Sequence, residues 1–310
     1  MKAARIHSWG GRPSLDEVPD PTGETLVRIE AAAVAHLDLT VASGNFHIKP
    51  DLPHIGGVEG CGIVVSSDVH EPGTRVMLRG GGLGLMRAGT WAELVGTRSR
   101  NVVPLPANLS PELGATYFVP TTTAYTALHV VAQLGGDETV IVAGAAGAVG
   151  SMVVQLALRA GATVIGLVAG EQVDRLPDGV EAVRLDDEAR AAELTHERPA
   201  TLLVDTLGGQ GLAGRSRWVR PGGRAVAVGY VAGTDVRLDL PNWLLEDVAL
   251  LPVNMIRRDA TAREHAPMLA RLLATGELAL EVESFDMADA ATALDRLATG
   301  GLRGRAVLTP

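Results

Sequence analysis

Residues Gly44 to Gly62 read GNFHIKPDLPHIGGVEGCG, a run holding His47, His54, Glu59 and Cys61, with His36 a short way upstream. Histidine, carboxylate and thiolate are the ligand types of zinc. A catalytic zinc needs three of them converging with one position left open. Their spacing here matches no ligand motif. Cys61 follows Glu59 by two residues in a strand-like segment, GCGIVVSSDV, where a lone cysteine reads as a small buried hydrophobe. The expectation is that the chain binds no metal through these residues.

A second stretch carries a different chemistry. TVIVAGAAGAVGSMVVQLALRAGATVIGLV orders an apolar strand, a glycine-rich turn, a helix and another apolar strand. Ala145, Gly147 and Gly150 stand in AxGxxG spacing. Gly147 lets backbone approach a pyrophosphate, and Gly150 lets the helix pack closely on a sheet. The helix start at Ala148, Val149 and Gly150 offers N–H groups and the positive end of the helix dipole. Val149, Val153, Leu156, Ala157 and Ala160 form the apolar face of that helix, and Gly161 ends it. The stretch predicts a dinucleotide site. The second strand ends in GLVAG, without the carboxylate that reads a ribose 2′-hydroxyl. Glu171 comes late, and Arg175 stands near enough to meet a 2′-phosphate, so NADPH is expected ahead of NADH. Asp205, Gly208, Gly209 and Gly229 fall just past other strands, where ligands bind in such sheets. Gly222 and Gly223 also flank a strand and serve equally as turn glycines.

These elements need a scaffold. With 310 residues the chain exceeds one compact domain. Residues 1 to 115 read as β-rich, with strand candidates ETLVRIEAAAV, GCGIVVSSDV, PGTRVML and TWAELVGT. Ser110-Pro111-Glu112 starts a helix, and a second is expected over Thr122 to Leu134. Residues 116 to 262 alternate helix and strand, with TVIVA, TVIGLV, TLLVD and RAVAV as buried parallel strands. Residues 263 to 310 return to a mixed pattern that ends in a strand-like GRAVLTP. The fold class is α/β, with the central block interrupting a first domain. A net charge of −9 weighs against nucleic acid or an anionic membrane as partner. One cysteine excludes a disulfide framework and a four-cysteine zinc lobe. Neither a signal peptide nor a long apolar span is evident, so a cytoplasmic protein is expected.

LPHIGGVEGCGIVV, GTWAELV, TTTAYTAL, AGAAGAVGSMVVQLALRAGA, LLVDTLGG, VRPGGRAVAVG and GLRGRAVLTP together resemble the medium-chain dehydrogenase/reductase superfamily over essentially the whole chain. Within it, the chain resembles the zinc-free quinone oxidoreductase and enoyl reductase branch. The resemblance implies a GroES-like catalytic domain from both chain ends, a central Rossmann domain, substrate in the cleft between them, and a homodimer. It implies hydride transfer from NADPH to the β-carbon of an enone or to a quinone. Zinc members carry a cysteine where this chain has Ala35 and a histidine where it has Val58. Leu37 replaces their relay hydroxyl. Related enoyl reductases carry a tyrosine where this chain has Phe46. His47 and then His36 are the expected proton donors, with solvent as a third source. By the same resemblance Asn254 lies near the nicotinamide and Arg305 near a cofactor-contacting lysine. Trp91 and Tyr125 then line the substrate or cofactor pocket or belong to the core. Arg79, Arg87 and Arg303 are further candidate cations. A biosynthetic reductase or cyclase, a zinc-dependent alcohol dehydrogenase and a non-catalytic NADPH-binding protein are the alternatives on the same scaffold.

Overall fold

The computed structural model describes residues Met1–Pro310, which divide into two compact units. The first comprises Met1–Phe118 and Ala270–Pro310, the second Val119–Leu269.

The first unit is built on β1 (Lys2–Ile6), β2 (Ser14–Glu17), β3 (Thr25–Val34), α1 (His36–Ala42), β4 (His54–Ile55), β5 (Glu59–Ser67), β6 (Arg75–Arg79), β7 (Leu94–Thr97), β8 (Val102–Pro104) and α2 (Pro111–Thr116). Strand β3 buries most of its residues on both faces, as its Ala- and Val-rich sequence requires. Around it runs a sheet ordered β15-β16-β3-β5-β6-β8, where β15 (Val282–Asp286) and β16 (Arg305–Thr309) come from the chain's end; β7 also pairs with β3. The closing GRAVLTP is therefore an interior strand, antiparallel to β3. Trp91, Leu78, Val76 and Leu308 are among the core side chains. Ser110 caps α2, its Oγ accepting from the Leu113 N–H, with Pro111 at the first turn as expected.

The second unit holds α3 (Phe118–Tyr125, starting at the boundary), β9 (Thr139–Ala143), α4 (Ala148–Arg159), β10 (Thr163–Val168), β11 (Glu181–Arg184), α5 (Glu188–Glu197), β12 (Ala200–Asp205), α6 (Gly211–Ser216), β13 (Val219–Ala227), α7 (Leu240–Glu246), β14 (Ala249–Pro252) and most of α8 (Asp259–Ala274); α9 (Ala290–Ala298) belongs to the first unit. The helix expected over Thr122 to Leu134 begins earlier, at Phe118, and opens into a π-helical turn over Thr126–Val131. All six strands run parallel in the order β11-β10-β9-β12-β13-β14. The order reverses between β9 and β12, the switch point at whose carboxyl ends such sheets bind ligands.

Candidate functional site

In the second unit, β9 ends at Ala143 and the chain turns through Gly144 at φ +80°. That conformation favours glycine. A Cβ at Gly144 would also stand 2.4 Å from Thr206 Oγ1, so this position, absent from the AxGxxG reading, is as constrained as the others. Gly150 lies against it: a Cβ there would fall 2.0 Å from the Gly144 carbonyl oxygen. Gly147 is the N-cap of α4, exposed and without a side-chain cap. The first bond of the helix runs from the Ser151 N–H to the Gly147 carbonyl, which leaves the N–H groups of Ala148, Val149 and Gly150 without helical partners. Buried Ala145 instead donates its N–H to Leu167. Such a turn could hold an anion on its backbone N–H groups.

Asp205 closes β12 on the far side of the switch point and is fully buried. Its Oδ1 accepts the N–H groups of Leu207 and Gly208 at 2.9 and 2.7 Å, and its Oδ2 takes Arg215 Nε at 2.6 Å. Three of the acceptor sites on that carboxylate are therefore used in shaping the loop. Gly229 packs on the same loop, since a Cβ there would meet the Thr206 carbonyl at 2.3 Å. Arg175 is half-buried on a short 3-10 helix, Gly170–Arg175. Asn254 is exposed and its Oδ1 accepts the Arg257 N–H, capping a turn. Tyr125 is half-buried with its ring between His129 and His265, at centroid distances of 4.6 and 4.4 Å.

The corner where β10 and β11 end holds a residue the sequence reading passed over. Arg184, paired in register with Val168, lays its guanidinium over Gly170. A cavity of about 370 Å³ opens beside it, walled by Leu167, Leu185, Ala191, Arg215 and Trp218.

In the first unit, α1 begins where β3 ends. Buried Asp38, at the third position of the helix, reaches back so that its Oδ2 accepts the Ala35 N–H at 2.8 Å, while its Oδ1 accepts the Val58 N–H at 3.0 Å. Burial is the largest influence on this carboxyl and pushes its pKa up to about 7. Glu59, opening β5, is paired in register with Arg79 at the end of β6, and Arg79 Nε donates to Glu59 Oε1 at 3.0 Å. The Arg79 guanidinium also lies 4.0 Å from the Phe118 ring centroid. Arg305, opening β16, turns inward, its Nη2 standing 3.8 Å from Glu59 Oε2. Only 9% of Arg305 is exposed, and its charge faces Glu59 inside the first unit. His36 is exposed, and its pKa is lowered by local desolvation and then by the Arg305 charge. His47 is exposed, and its ring lies tilted at 49° to that of half-buried Phe46, with centroids 4.4 Å apart.

His54 is buried with Nε2 against the Gly84 carbonyl. Cys61 sits in a small core cluster with Ala31, Ala115 and Val307, and burial pushes its thiol pKa up to about 12. No three His, Cys, Asp or Glu side chains are grouped to hold a metal ion. Trp91 is fully buried with its indole N–H donating to the Ala33 carbonyl, so it belongs to the core, one of the two places its sequence position allowed. No helix is long and apolar enough to cross a membrane.

Two family models match the chain: the alcohol dehydrogenase GroES-like domain over residues 21–107 and the zinc-binding dehydrogenase domain over residues 148–273. The chain is 42% identical to a zinc-type alcohol dehydrogenase-like protein of Schizosaccharomyces pombe over 150 residues, which is 48% of this chain and 46% of that one. That match spans under half of the relative's length. It is 25% identical to the quinone oxidoreductase of Mus musculus over 294 residues, 89% of this chain and 86% of that one. The structure of a Pseudomonas syringae quinone oxidoreductase superposes with a TM-score of 0.84 at 25% identity, over 100% of this chain and 99% of that one.

Proposed function

Because this chain belongs to the medium-chain dehydrogenase/reductase superfamily, in its quinone oxidoreductase-like branch, we propose that it is an NADPH-dependent oxidoreductase that reduces an enone or quinone without a metal. Its second unit is a nucleotide-binding dehydrogenase fold. The observation that carries the proposal is the turn from Gly144 to Gly150, packed so tightly that Gly144 and Gly150 admit no Cβ, and leading into a helix start with no side-chain cap.

The backbone N–H groups of Ala148, Val149 and Gly150 would hold the pyrophosphate. The apolar walls Leu167 and Leu185 would receive the adenine, and Gly229 and the loop shaped by Asp205 would border the nicotinamide half on the other side. When bound, NADPH supplies a hydride. The chain's part is to orient the cofactor, keep water from it, and manage the proton that follows. We assign His47 the role of proton donor, since it is exposed beside Phe46, where no phenol competes with it. His36, whose pKa is lowered by desolvation and the Arg305 charge, is the weaker second candidate for that role. Metal independence rests on the residue types: Ala35 and Val58 offer no ligand atoms, and the thiol of Cys61 is committed to the core.

The same reading makes the protein a dimer of identical chains. Strand β14 is one edge of the parallel sheet, paired only with β13. Leu244, Leu245 and Ile256, which flank it in sequence, are 70%, 81% and 90% exposed. A second copy added along that edge would cover them.

The test is stopped-flow oxidation of NADPH and NADH against enones, quinones and aldehydes, with metal analysis of the purified protein. Oxidation of NADPH by an enone or quinone, in protein free of zinc, is the expected result. Aldehyde reduction lost with stoichiometric zinc on chelation would identify a zinc-dependent alcohol dehydrogenase instead.

A further inference from the structure

We propose that Arg184 and Asp186 together set the choice between NADPH and NADH, Asp186 occupying the guanidinium fork that a 2′-phosphate would take. The inference rests on the reading of the second unit as a dinucleotide site.

The argument begins with register. Arg184 is the last residue of β11 and stands opposite Val168, the last residue of β10. In a doubly wound sheet the adenosine ribose lies against the carboxyl end of the second strand, which here is β10. The chain continues from Val168 as Ala169-Gly170, with no carboxylate to accept a 2′-hydroxyl. Gly170 is under the Arg184 guanidinium. A Cβ built on it would stand 3.2 Å from Cζ and Nη2 and 3.3 Å from Nε, so glycine leaves the space in which that plane lies flat. The side chain is thereby held over the loop where the ribose would rest.

Arg184 is already engaged. Its Nε donates to Asp186 Oδ1 at 2.9 Å and its Nη2 to Oδ2 at 2.7 Å, a two-point pairing of fork with carboxylate. A phosphate presents the same pair of oxygens with more charge. Both side chains are exposed, so the pair is easily opened. A 2′-phosphate can therefore displace Asp186 and take the fork. NADH presents a hydroxyl there, which can donate to Asp186 while the pair stays closed. Glu171 and Asp187 also lie within electrostatic reach of Arg184. With Asp186 they stand against a phosphate at the fork, which binds once Asp186 gives way. Asp186 is thus a built-in competitor, and Arg184 is the group competed for.

The test is titration of the full-length protein with NADPH and with NADH, by calorimetry, for the wild type, Arg184→Gln, Asp186→Asn and the double variant. Arg184→Gln should weaken NADPH about tenfold and leave NADH within about twofold. Asp186→Asn should tighten NADPH by about threefold to tenfold and weaken NADH. In the double variant the gain from Asp186→Asn should vanish, because the fork it frees is gone. If the wild type binds both dinucleotides and neither single variant changes their affinity ratio, the discriminator role is overturned while the dinucleotide site stands. If the wild type binds neither, the site reading falls and this inference with it.

Discussion

Asp38 and Val58 are tied by one hydrogen bond, the Val58 N–H donating to Asp38 Oδ1 at 3.0 Å. The other oxygen of the same carboxylate takes the Ala35 N–H. One buried side chain thus joins the residue before α1 to the residue before β5. This one carboxyl group ties the start of helix α1 to the entry of β5.

That arrangement has a pH signature. The folded pKa of Asp38, about 7, lies above its ordinary value of 3.8, chiefly through burial, with the Glu59 charge adding and the Ala35 and Val58 N–H groups and Arg305 opposing. The folded state therefore keeps the proton to higher pH than the unfolded chain does. Its contribution to stability is complete below about pH 4 and is lost as pH rises to about 7, on the order of 4 kcal/mol in all. Asp38→Asn should remove this slope, so urea midpoints for wild type and variant should converge or cross between pH 4.5 and 7.5. Parallel pH profiles for the two proteins would show that Asp38 is ionised throughout.

Glu138 behaves in the opposite sense. Its two oxygens accept Arg224 Nη2 and Nη1, both at 2.8 Å, and Thr201 Oγ1 joins at 2.7 Å. These bonds, with Arg224 first, hold its pKa at about 2. The pair ties the start of β9 to β13 and is mostly shielded from water. The stability it confers is present above about pH 4.5 and lost as pH falls toward 2. Glu138→Gln should lower stability at pH 7 by about 1.5–3 kcal/mol. The difference from wild type should shrink at pH 3, as followed by thermal melts.

The cofactor turn separates packing from binding. Gly150→Ala puts a methyl 2.0 Å from the Gly144 carbonyl, so α4 must move off the sheet. Stability should fall by about 1–3 kcal/mol and dinucleotide affinity with it. At Gly147 the added methyl meets only the Gly144 oxygen, at 3.3 Å, and the residue is exposed. Gly147→Ala should leave the melting temperature within about 2 °C and weaken NADPH binding about tenfold, because the methyl enters the space over the helix start. Equal melting and binding losses in the two variants would refute that division.

The sequence carried the parts of the fold that bury themselves. β9, β10 and β12 are continuous apolar runs because both faces are covered, and the turn between β9 and α4 announces itself by its glycines. Edge strands left no such trace. β11 buries only Val183 of its four residues, so EAVR has no strand pattern, and Arg184 at its end was invisible as a site residue. The π-helical opening at Thr126–Val131 likewise has no sequence signal. Burial decided the rest: Asp205 and Arg305 read as ligands by position, but their partners, Arg215 and Glu59, are known only once the chain is folded.

The edge of the parallel sheet gives the last prediction. Strand β14 has hydrogen-bonding groups along one side with no strand beside them, and α7 just before it exposes Leu244 and Leu245. Such an edge invites pairing unless charge or proline guards it, and here proline stands only at its end, Pro252. Two copies related by a twofold axis would pair β14 with β14 and remove those leucines from water. Light scattering should return twice the chain mass at micromolar concentration. Leu244→Glu combined with Leu245→Glu should return the mass of one chain while NADPH binding persists, since neither residue lies near the turn at Gly144 to Gly150 in the chain. A wild type that scatters as a single chain at those concentrations would remove the edge-strand dimer.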